Sequence, residues 1–522
     1  MPNDHVKKNE ISSFTGSGPI IIKSRRLDKK RDLMPANQIF SAKLEDIKPD
    51  KTRVIARLFK PGREELIKNT LNMVLSMGDP ETKIILSRVY AEFSKRHKKL
   101  EEILIRHFNE VKEYINDPDS LSNEKKLLIG SYFTMEYSIE STALFNPSVV
   151  IYPKQNDLKK DETRVIFSFR ATGEGHISSI VFRSAVINKS NDIFLEPTSR
   201  YVDTPKMILD PVYEKALFVR KLKEIGFSND VTKTVFARLK DNFTFDEIRK
   251  VMDEVKKENI MTVSERERVI DRINWLAKCN YEVVFAPDHL ISERVLFPVS
   301  KSESNGIEDA RFVRFRDDNG EITYYATYTA YNGLDIIPQL IETKDFHHFK
   351  MITLNGPMVQ NKGMALFPRR INSKYAMIAR IDGKSLYLMY SDNIHFWYES
   401  VKIKQPEKHW EFVQIGNCGS PLETEQGWIL LTHGVGPMRK YSIGAMLLDL
   451  KDPSRVIARL EEPLITPSEK EREGYVPNVV YSCGSIILNG DLIIPYAASD
   501  SVSHIALISV DELLKKMKVE GR

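Results

Sequence analysis

The chain has 522 residues, of which 42% are hydrophobic and 29% are charged. This composition is that of a globular protein, and it excludes a disordered chain, a collagen-like repeat and a coiled coil. The formal net charge is only +5, from 77 basic and 72 acidic side chains. Proteins that bind nucleic acids usually concentrate positive charge on one face, so the charge balance gives no support for a nucleic-acid partner.

The cysteines and the first residues bear on cellular location. Cys279, Cys418 and Cys483 are too few and too scattered for a disulfide framework or a cysteine-based zinc site, so we expect reduced thiols. The longest apolar run in the first 30 residues is Pro19–Ile22. A secretory signal needs about 7–15 apolar residues and a membrane helix about 18. We therefore expect a cytoplasmic protein that has no membrane partner.

The N-terminal part of the chain predicts a polar arm followed by helices. Residues 1–60 are assigned to the arm. From Pro61 onward, apolar residues recur three and four positions apart, which predicts two or three amphipathic helices between about 61 and 118. We assign residues 61–140 to an N-terminal helical region. The basic run Lys95–Lys99 is expected to be a solvated helix surface.

Short β-type runs with turn signals between them begin after about residue 140 and continue almost to the C-terminus. One charged stretch, at about 210–280, interrupts them. Its apolar positions lie three and four residues apart, so it predicts an inserted helical hairpin.

The later β-type runs repeat loosely. They start at Thr323, Lys374, Gly427 and Gly490, with offsets of 51, 53 and 63 residues. Periods of about 40–50 residues with several strands per unit are typical of β-propellers. The predicted fold is therefore mainly β, a five-bladed β-propeller at 141–513 with an N-terminal α-helical region and a helical insertion. A β-sandwich is the alternative architecture.

A propeller assembles its ligand site from several blades, so the polar segments of successive β units are the candidates. The densest is Asn305–Phe312, where Glu308, Asp309 and Arg311 precede a strand. Taken alone, a carboxylate beside an arginine is as easily a turn-stabilising ion pair. The other segments are Phe145–Ser148, Arg170–Arg183, Asn361–Arg370 with Arg380, Thr432–Tyr441, Glu473–Tyr481 and Tyr496–Asp500.

These segments give about one polar cluster per blade, which is what an axial sugar site requires. In Thr432–Tyr441, a histidine at the end of an apolar strand precedes an arginine and a lysine. Because histidine and arginine both donate hydrogen bonds to phosphate, this segment is a candidate anion pocket, although a lone histidine is often structural.

Together the segments resemble glycoside hydrolase family 130, five-bladed propellers that act on β-mannosides, mostly as phosphorylases. The motifs follow the family's order from Phe145 to about Leu513. They are Asn-Pro-Ser (146–148), Gly-Ile-Glu-Asp-Ala-Arg (306–311), Tyr-Thr-Ala-Tyr-Asn-Gly (328–333), Ala-Leu-Phe-Pro-Arg (365–369), Thr-His-Gly-Val (432–435) and Gly-Tyr-Val-Pro-Asn-Val-Val (474–480). The helical leader and the insertion also resemble the longer members, including those that act on β-1,2-mannosides.

The resemblance implies that Asp309 is the catalytic acid, with Ala310 where many relatives carry proline. In the family, the proton reaches the leaving oxygen directly or through a hydroxyl of the mannosyl unit. The candidates implied for sugar contacts are Asn146, Arg170, Arg183, Arg311, Asn332, Tyr481 and Asp500.

The resemblance also implies a phosphate site. Arg380 and His433 match positions that help to bind phosphate in the phosphorylases, whereas hydrolytic relatives carry acidic residues in that region. Lys362 and Arg439 are further candidates. Gln414 stands where some relatives have a basic residue.

Hydrolysis and phosphorolysis of a glycoside need different groups in the active site. An inverting hydrolase needs two carboxylates about 6.5–9.5 Å apart, whereas a phosphorylase needs one acid and cations that hold the phosphate nucleophile. One prominent aspartate with basic residues on other blades favours an inverting β-mannoside phosphorylase that yields α-mannose 1-phosphate, with β-1,2-linked mannooligosaccharides as the expected substrates. Inorganic phosphate is the co-substrate, and no metal or other cofactor is expected.

Two alternatives stay open at this point, a hydrolytic β-mannosidase of the same fold and a non-catalytic sugar-binding propeller. The sequence leaves the linkage and the substrate chain length undecided. The N-terminal helices have three possible roles: covering the propeller, lengthening the active-site wall, or forming the interface of a homo-oligomer.

Overall fold

The computed structural model describes residues 46–208, 211–333 and 336–520, together with the backbone of strands β1 (Ile20–Ile22) and β2 (Ala42–Lys43). Apart from these two strands, the predicted polar arm lies outside the described residues as far as residue 45. Within the part of the chain that is described, no helix is both long and apolar enough to cross a lipid bilayer.

The N-terminal helical region lies between two paired strands. Strand β3 (Val54–Leu58) leads into it, and its antiparallel partner, β4 (Thr134–Ser138), leads out. The helices between them are α1 (Glu64–Leu75), α2 (Asp79–Phe93), α3 (Leu100–Asn109) and α4 (Asn123–Tyr132). The first three lie where the sequence predicts helices. The fourth was not predicted, and it begins after Ser122, whose hydroxyl accepts a hydrogen bond from the Lys125 backbone N–H.

Close packing holds these helices together. A Cβ atom at Gly130 would lie 1.9 Å from the carbonyl oxygen of Leu104, so only glycine permits the contact between α3 and α4. The run Lys95–Lys99 is exposed as predicted except at His97, which is buried with Nε2 2.9 Å from the Glu136 carboxylate. The exposed Lys98 places Nζ 2.6 Å from the carboxylate of the buried Glu293, where this end of the helical region packs on the β region.

The first β unit is a four-stranded antiparallel sheet that begins directly after the helical region. Its strands are β5 (Ala143–Ile151), β6 (Thr163–Thr172), β7 (Ser178–Ile187) and β8 (Ile193–Leu195).

A helical insertion follows the first unit, and it contains four helices where the sequence predicted a hairpin. The second, third and fourth of these helices each begin after a polar N-cap residue. The side chains of Asn229, Thr244 and Thr262 accept hydrogen bonds from backbone N–H groups in the first turn of these helices. The elements are β9 (Lys206–Ile208), β10 (Val212–Glu214), α5 (Lys215–Glu224), α6 (Asp230–Ala237), β11 (Asn242–Thr244), α7 (Phe245–Val255), α8 (Val263–Cys279) and β12 (Tyr281–Val284). The helices bury an apolar core of their own around Leu222, Ile248 and Ile273.

The rest of the described chain is again built from antiparallel strands. They are β13 (Val295–Leu296), β14 (Gly306–Arg316), β15 (Ile322–Tyr331), β16 (Ile336–Thr343), β17 (His348–Thr353), β18 (Ala365–Leu366), β19 (Tyr375–Ala379), β20 (Leu386–Ser391), β21 (Glu399–Lys404), β22 (Gln414–Asn417), β23 (Leu422–Thr424), β24 (Gly427–Val435), β25 (Tyr441–Leu448), β26 (Val456–Arg459), β27 (Val480–Tyr481), β28 (Ile486–Leu488), β29 (Asp491–Ala498) and β30 (Val502–Ser509), followed by α9 (Val510–Lys516) and β31 (Lys518–Val519).

These strands form four further units of four. The second unit is β14–β17 and the third is β18–β21. The fourth is β22, β24, β25 and β26, and the fifth is β27, β29 and β30 with β2 at its edge. The first two units share one 12-stranded sheet through the pairing of Gly306 with Ser178, and no sheet of the described residues closes on itself. The predicted mainly β class is therefore confirmed, and the predicted closure into a propeller stays a prediction.

In every unit, the antiparallel strand order brings the same three strand ends together at one edge of the sheet. Because successive strands run in opposite directions, the start of the first strand, the end of the second and the start of the third lie together. We call this the shared edge. Asn146, Asp309, Gln414 and Tyr481 lie at or near first-strand starts, and His433 lies near a second-strand end.

A buried ionic network ties the helical region to the first unit. Glu140, between β4 and β5, is fully buried, and its two oxygens accept hydrogen bonds from Arg183 NH2 at 2.7 and 2.9 Å. Arg53 NH1 lies 3.3 Å from the same carboxylate, and Arg53 NH2 donates to the Ser292 carbonyl. One carboxylate therefore compensates two buried guanidinium groups.

Replacing Glu140 by Gln should lower the free energy of unfolding by about 3–5 kcal/mol, because it leaves two buried cations without a counter-charge. Glu399→Gln is the matched control: Glu399 pairs with Lys374 at 3.0 Å on the surface, so about 0–1 kcal/mol is expected. Urea denaturation of both variants measures the difference. Equal losses in the two variants would contradict a central role for the Glu140 network.

Candidate active site

Two strands that lie in different units carry matching bulges at the shared edge. The pairing of β5 shifts register between Phe145 and Ser148, and the pairing of β14 shifts between Glu308 and Arg311. Inside each bulge one residue has a positive φ, 48° at Asn146 and 55° at Asp309. Asparagine and aspartate tolerate this left-handed conformation better than other non-glycine residues.

The two bulges bring their side chains into contact. Asn146 Nδ2 donates a hydrogen bond of 2.6 Å to Asp309 Oδ1, and both residues are more than nine-tenths buried. The carboxylate of Asp309 is thus fixed by a residue 163 positions earlier in the chain. This contact joins the first unit to the second.

Cations surround this carboxylate and its neighbour, Glu308. Arg170 NH2 donates to Glu308 Oε1 at 2.6 Å, and Arg170 NH1 lies 3.5 Å from Asp309 Oδ1. Lys362 Nζ, from the third unit, lies 3.5 Å from Glu308 Oε2. We refer to Asn146, Arg170, Glu308, Asp309 and Lys362 as the carboxylate cluster.

The charge balance of the cluster sets the ionisation of Asp309. Burial raises the pKa of this carboxyl, but Arg170, Arg311 and Lys362 lower it, together with the hydrogen bond from Asn146. The cationic neighbours prevail, so the pKa of Asp309 lies below its ordinary value. Asp309 is therefore ionised at neutral pH.

Asp500 behaves in the opposite way. It follows β29 at the shared edge of the fifth unit, with a φ of 49°. Burial, and next the negative charge of Asp309, raise the pKa of Asp500 to about 7, although Arg170 and Lys362 act in the other direction. Asp309 and Asp500 therefore interact within one site, where Asp309 is ionised and Asp500 is protonated below about pH 7.

A second group of side chains joins the third and fourth units. Arg380 NH1 lies 3.2 Å from His433 Nε2, and His433 Nδ1 lies 3.0 Å from the Asn417 carbonyl oxygen. Because a guanidinium can only donate, Nε2 accepts from Arg380, and Nδ1 carries the proton that is donated to Asn417. Burial, with Arg380 and Arg311 next, lowers the pKa of His433 well below its ordinary value, so the imidazole is neutral.

Arg311 and Tyr481 connect the Arg380–His433 pair to the carboxylate cluster. Arg311 NH1 donates to the Asp309 carbonyl oxygen at 3.0 Å, and Arg311 NH2 donates to the Tyr481 hydroxyl at 2.7 Å. The Tyr481 ring lies 4.8 Å from the His433 ring, centroid to centroid. Hydrogen bonds and one ring contact therefore connect Asp309 to Arg380 across four β units.

Several polar atoms of this site have no hydrogen-bond partner among the described residues. They are Asn146 Oδ1 and the Nε atoms of Arg170, Arg311 and Arg380. Buried polar groups are hydrogen-bonded in most proteins, and a group of exceptions calls for a specific explanation.

Most of the residues predicted for the site come together in the structure. Asn146, Arg170, Asp309, Arg311, Lys362, Arg380, His433, Tyr481 and Asp500 belong to this connected arrangement. Asn332 follows β15 at the shared edge of the second unit and is half-buried.

Two predicted residues lie elsewhere. Arg183 is wrong as a sugar contact, because its guanidinium is buried against Glu140 on the side of the helical region. Arg439 is exposed, in a short turn at Pro437–Arg439, and among the described residues no hydrogen bond or ion pair joins it to Arg380 or His433. An arginine suits both predicted roles, but the position of Arg183 in β7 and the turn that holds Arg439 keep these two side chains out of the contacts around Asp309 and Arg380.

Sequence reasoning gave no role to two residues beside His433, Tyr441 and Asn417, although Tyr441 ends the segment Thr432–Tyr441 that it named. The Tyr441 ring stacks 5.9 Å from the His433 ring, and Gln414 Nε2 lies 3.5 Å from the Tyr441 hydroxyl. Asn417 holds the histidine in its tautomer. Tyr441 begins the third strand of its unit, so the strand order itself was the signal that locates it.

Comparison with known proteins identifies relatives of this chain. A family model described as beta-1,4-mannooligosaccharide phosphorylase matches residues 278–519. A 1,2-beta-oligomannan phosphorylase of Thermoanaerobacter sp. (strain X514) is 33% identical over 230 residues, which cover 43% of this chain and 75% of that protein. A beta-1,2-mannobiose phosphorylase of the same organism is 34% identical over 258 residues, 47% of this chain and 82% of that protein.

Among solved structures, a beta-1,2-mannobiose phosphorylase from Listeria innocua in complex with beta-1,2-mannobiose matches with 22% identity and a TM-score of 0.43, covering 72% of this chain and 92% of that one. The sequence relatives establish the family on their own, since the chain covers more than two thirds of each at over 30% identity. The chain belongs to glycoside hydrolase family 130.

Proposed function

We propose that the protein is an inverting phosphorylase that cleaves β-mannosides with inorganic phosphate and releases α-mannose 1-phosphate. The observation that carries this proposal is the contact path from one buried carboxylate, Asp309, to the cationic Arg380 and the neutral His433 that accepts its hydrogen bond, in other units. Relatives named as 1,2-beta-oligomannan and beta-1,2-mannobiose phosphorylases support it and favour β-1,2-linked mannooligosaccharides as substrates.

We propose that the five four-stranded units are the blades of a five-bladed propeller at 141–513, preceded by the helical region at 61–140. Contacts between units support this arrangement. Asn146 joins the first unit to the second, Arg311 joins the second to the fifth, and Arg380 joins the third to the fourth. All of these contacts lie at or near the shared edge, as a common axial site requires.

The roles of the residues follow from their chemistry. Asp309 is the acid, and Asn146, Arg170, Arg311, Asn332, Tyr481 and Asp500 are the proposed sugar contacts. Arg380 supplies the positive charge for phosphate, and His433 and Tyr441 lie beside it. Gln414 adds no charge where some relatives have a basic residue, so Arg380 carries most of the electrostatic attraction, with Lys362 on the opposite side of the site.

In the reaction, Asp309, which is ionised in the free protein, first takes a proton from dihydrogen phosphate and then gives it to the glycosidic oxygen, directly or through a hydroxyl of the mannosyl unit. The bond between C1 and that oxygen breaks, and an oxygen of the resulting hydrogen phosphate bonds to C1 from the opposite face, which inverts the configuration. Asp309 ends as the carboxylate, the form that its cationic neighbours favour. The step needs no metal or redox cofactor, because phosphate is itself the nucleophile.

Hydrolysis on the same fold is the competing function. It requires a carboxylate that activates water on the face opposite the acid. Among the described residues, the hydrogen-bond and ring partners of Arg380 and His433 are an asparagine carbonyl and two tyrosines, and none is a carboxylate. The phosphate side of the site is therefore built for an anion.

We also propose a cytoplasmic location and self-association. The three cysteine thiols are free and buried, which suits a reducing compartment.

Large apolar side chains of the N-terminal helices are exposed, among them Leu66 and Met73 on α1 and Ile84 on α2. An interface between copies of the chain would cover them.

The purified protein should release mannose 1-phosphate from β-1,2-mannobiose only when inorganic phosphate is present, as measured by chromatography of the products. Asp309→Asn should lower kcat by about 10²–10⁴-fold, because the acid is lost. The matched control is Asp317→Asn, whose carboxylate pairs with Arg370 at 2.7 Å beyond the end of β14 and should leave the rate unchanged. Free mannose formed without phosphate would contradict the proposal.

Arg380→Ala should lower kcat/KM for phosphate by about 10–100-fold, the loss expected when one charge-assisted hydrogen bond to an anion is removed. Arg439→Ala is the control, since this arginine is exposed and outside the contact path, and it should change kcat/KM less than twofold. Initial rates at varied phosphate and saturating mannobiose give both values. A larger loss of kcat/KM for phosphate in Arg439→Ala than in Arg380→Ala would assign phosphate binding to Arg439 and contradict the proposal.

Asp500→Asn should make the stability of the protein less sensitive to pH. The pKa of Asp500 is about 7 in the folded chain and about 3.9 in an unfolded one, so its stabilising contribution is complete below about pH 4 and is lost as pH rises through 7. The wild type should therefore lose on the order of 2–3 kcal/mol more than the variant between pH 5 and pH 8.

Urea denaturation at the two pH values measures this difference. Asp317→Asn serves again as the control, because Arg370 lowers the pKa of Asp317 and keeps it ionised at both values. An identical pH dependence in the wild type and the Asp500 variant would show that Asp500 is not the group that titrates.

A further inference from the structure

The reaction described above gives no role to Glu308, although this residue belongs to the carboxylate cluster. Glu308 and Asp309 are adjacent in β14, and both are more than nine-tenths buried. Successive side chains of a regular strand point to opposite faces of the sheet. The register shift between Glu308 and Arg311 interrupts this alternation, and both carboxylates contact the same guanidinium, that of Arg170.

Glu308 is the closer counter-charge for the cations of the cluster. Arg170 NH2 donates to Glu308 Oε1 at 2.6 Å, whereas Arg170 NH1 lies 3.5 Å from Asp309 Oδ1. The other oxygen of Glu308, Oε2, lies 3.5 Å from Lys362 Nζ. Because Coulomb attraction falls with distance, Arg170 interacts more strongly with Glu308 than with Asp309. One carboxylate thus holds cations from the first and the third unit.

Charged and titratable groups of several elements surround Asp309. They are Arg170 of β6, Arg311 of β14, Lys362 before β18, His433 of β24, Tyr481 of β27, Cys483 after it and Asp500 after β29. The imidazole is neutral, and burial raises the pKa values of the phenol and the thiol, so these three carry no charge at neutral pH. The negative charge of Glu308 is among those that raise the pKa of Asp500, so it acts across the site.

The proposed reaction needs Asp309 to hold a proton for part of each turnover. The three cations around it favour the ionised form. A further gain of positive charge would make the protonated form rarer, and a negative charge beside the cations has the opposite effect. Glu308 is placed to supply that negative charge, since its oxygens lie against Arg170 and Lys362.

We propose that Glu308 is a positioning residue of the reaction: its carboxylate holds Arg170 and Lys362 and offsets their charge, which allows Asp309 to take up the proton and pass it to the leaving oxygen. Glu308 acts through these two cations and transfers no proton itself. The inference rests on the proposed phosphorolysis and adds to it the group that sets the strength of the acid.

Glu308→Gln keeps the shape of the side chain and removes its charge. With β-1,2-mannobiose and phosphate at saturation, kcat should fall about 10–100-fold, because each unit by which the pKa of Asp309 falls makes its protonated form tenfold rarer. The KM for mannobiose should change less than about twofold, since the proposal gives Glu308 no contact with the sugar. Initial rates at varied mannobiose give both constants.

Dinitrophenyl β-mannoside separates a weakened acid from a disturbed site. Its phenolate leaves as a stable anion and needs no proton, so Glu308→Gln should convert it with phosphate at a rate within about threefold of the wild type. Equal losses with mannobiose and with the aryl mannoside would show that Glu308 maintains the structure of the site and not the strength of the acid. That result would overturn the proposal.

Two further variants complete the test. Glu308→Asp retains the charge and should recover most of the kcat for mannobiose. Glu423→Gln is the matched control, because Glu423 also pairs with an arginine, Arg369, at 2.6 Å, but opposite Trp428 near the start of β24 and away from the shared edge. It should keep the wild-type rate with both substrates.

An unchanged kcat in Glu308→Gln would overturn the proposal. So would an increased KM for mannobiose at unchanged kcat, which would make Glu308 a sugar contact. A wild type that forms no mannose 1-phosphate would instead contradict the proposed function itself, so the two failures are distinguishable.

Discussion

The hydrogen bond between Asn146 and Asp309 is the contact on which the site depends. Each residue lies in a β-bulge with a positive φ, and each bulge turns a side chain out of the regular pleat toward the shared edge. Without the bulges, the two side chains would follow the alternation of their strands and point into or away from the sheets. The local backbone strain is held by the surrounding strands, which are buried along most of their length.

Charge compensation then decides what the fixed carboxylate can do. Three cations lower the pKa of Asp309, whereas Asp500, with less compensation, keeps its proton to about pH 7. Two carboxyl groups in one site thus have different protonation states because their surroundings differ. The Arg380–His433 pair lies beyond Tyr481, so the Arg380 guanidinium, which we propose binds phosphate, is separated from the cations that hold Asp309. That separation is what a reaction between a protonated leaving group and an anionic nucleophile needs.

The helical parts are tied to the β region in different ways. The N-terminal helical region is joined by buried ions: Glu140 compensates Arg53 and Arg183, and Lys98 reaches Glu293. The insertion has its own apolar core, and a cavity of about 230 Å³ lies where it meets the second unit. A buried ion pair fixes one geometry because breaking it is costly.

The sequence by itself determined the mainly β class, the helices of the leader, and most of the chemical groups of the site, because hydrophobic period and ordered motifs are local properties of the chain. It also placed Asp309, Arg380 and His433 among the candidates. It did not separate the insertion into four helices, since caps such as Asn229 and Thr244 are weak signals within a charged stretch. Only the tertiary structure decided which arginines serve the site. Arg170 and Arg183 lie on neighbouring strands of one unit, yet one faces Asp309 and the other Glu140, because the partner of a charged side chain is chosen by residues that are distant in the chain and near in space.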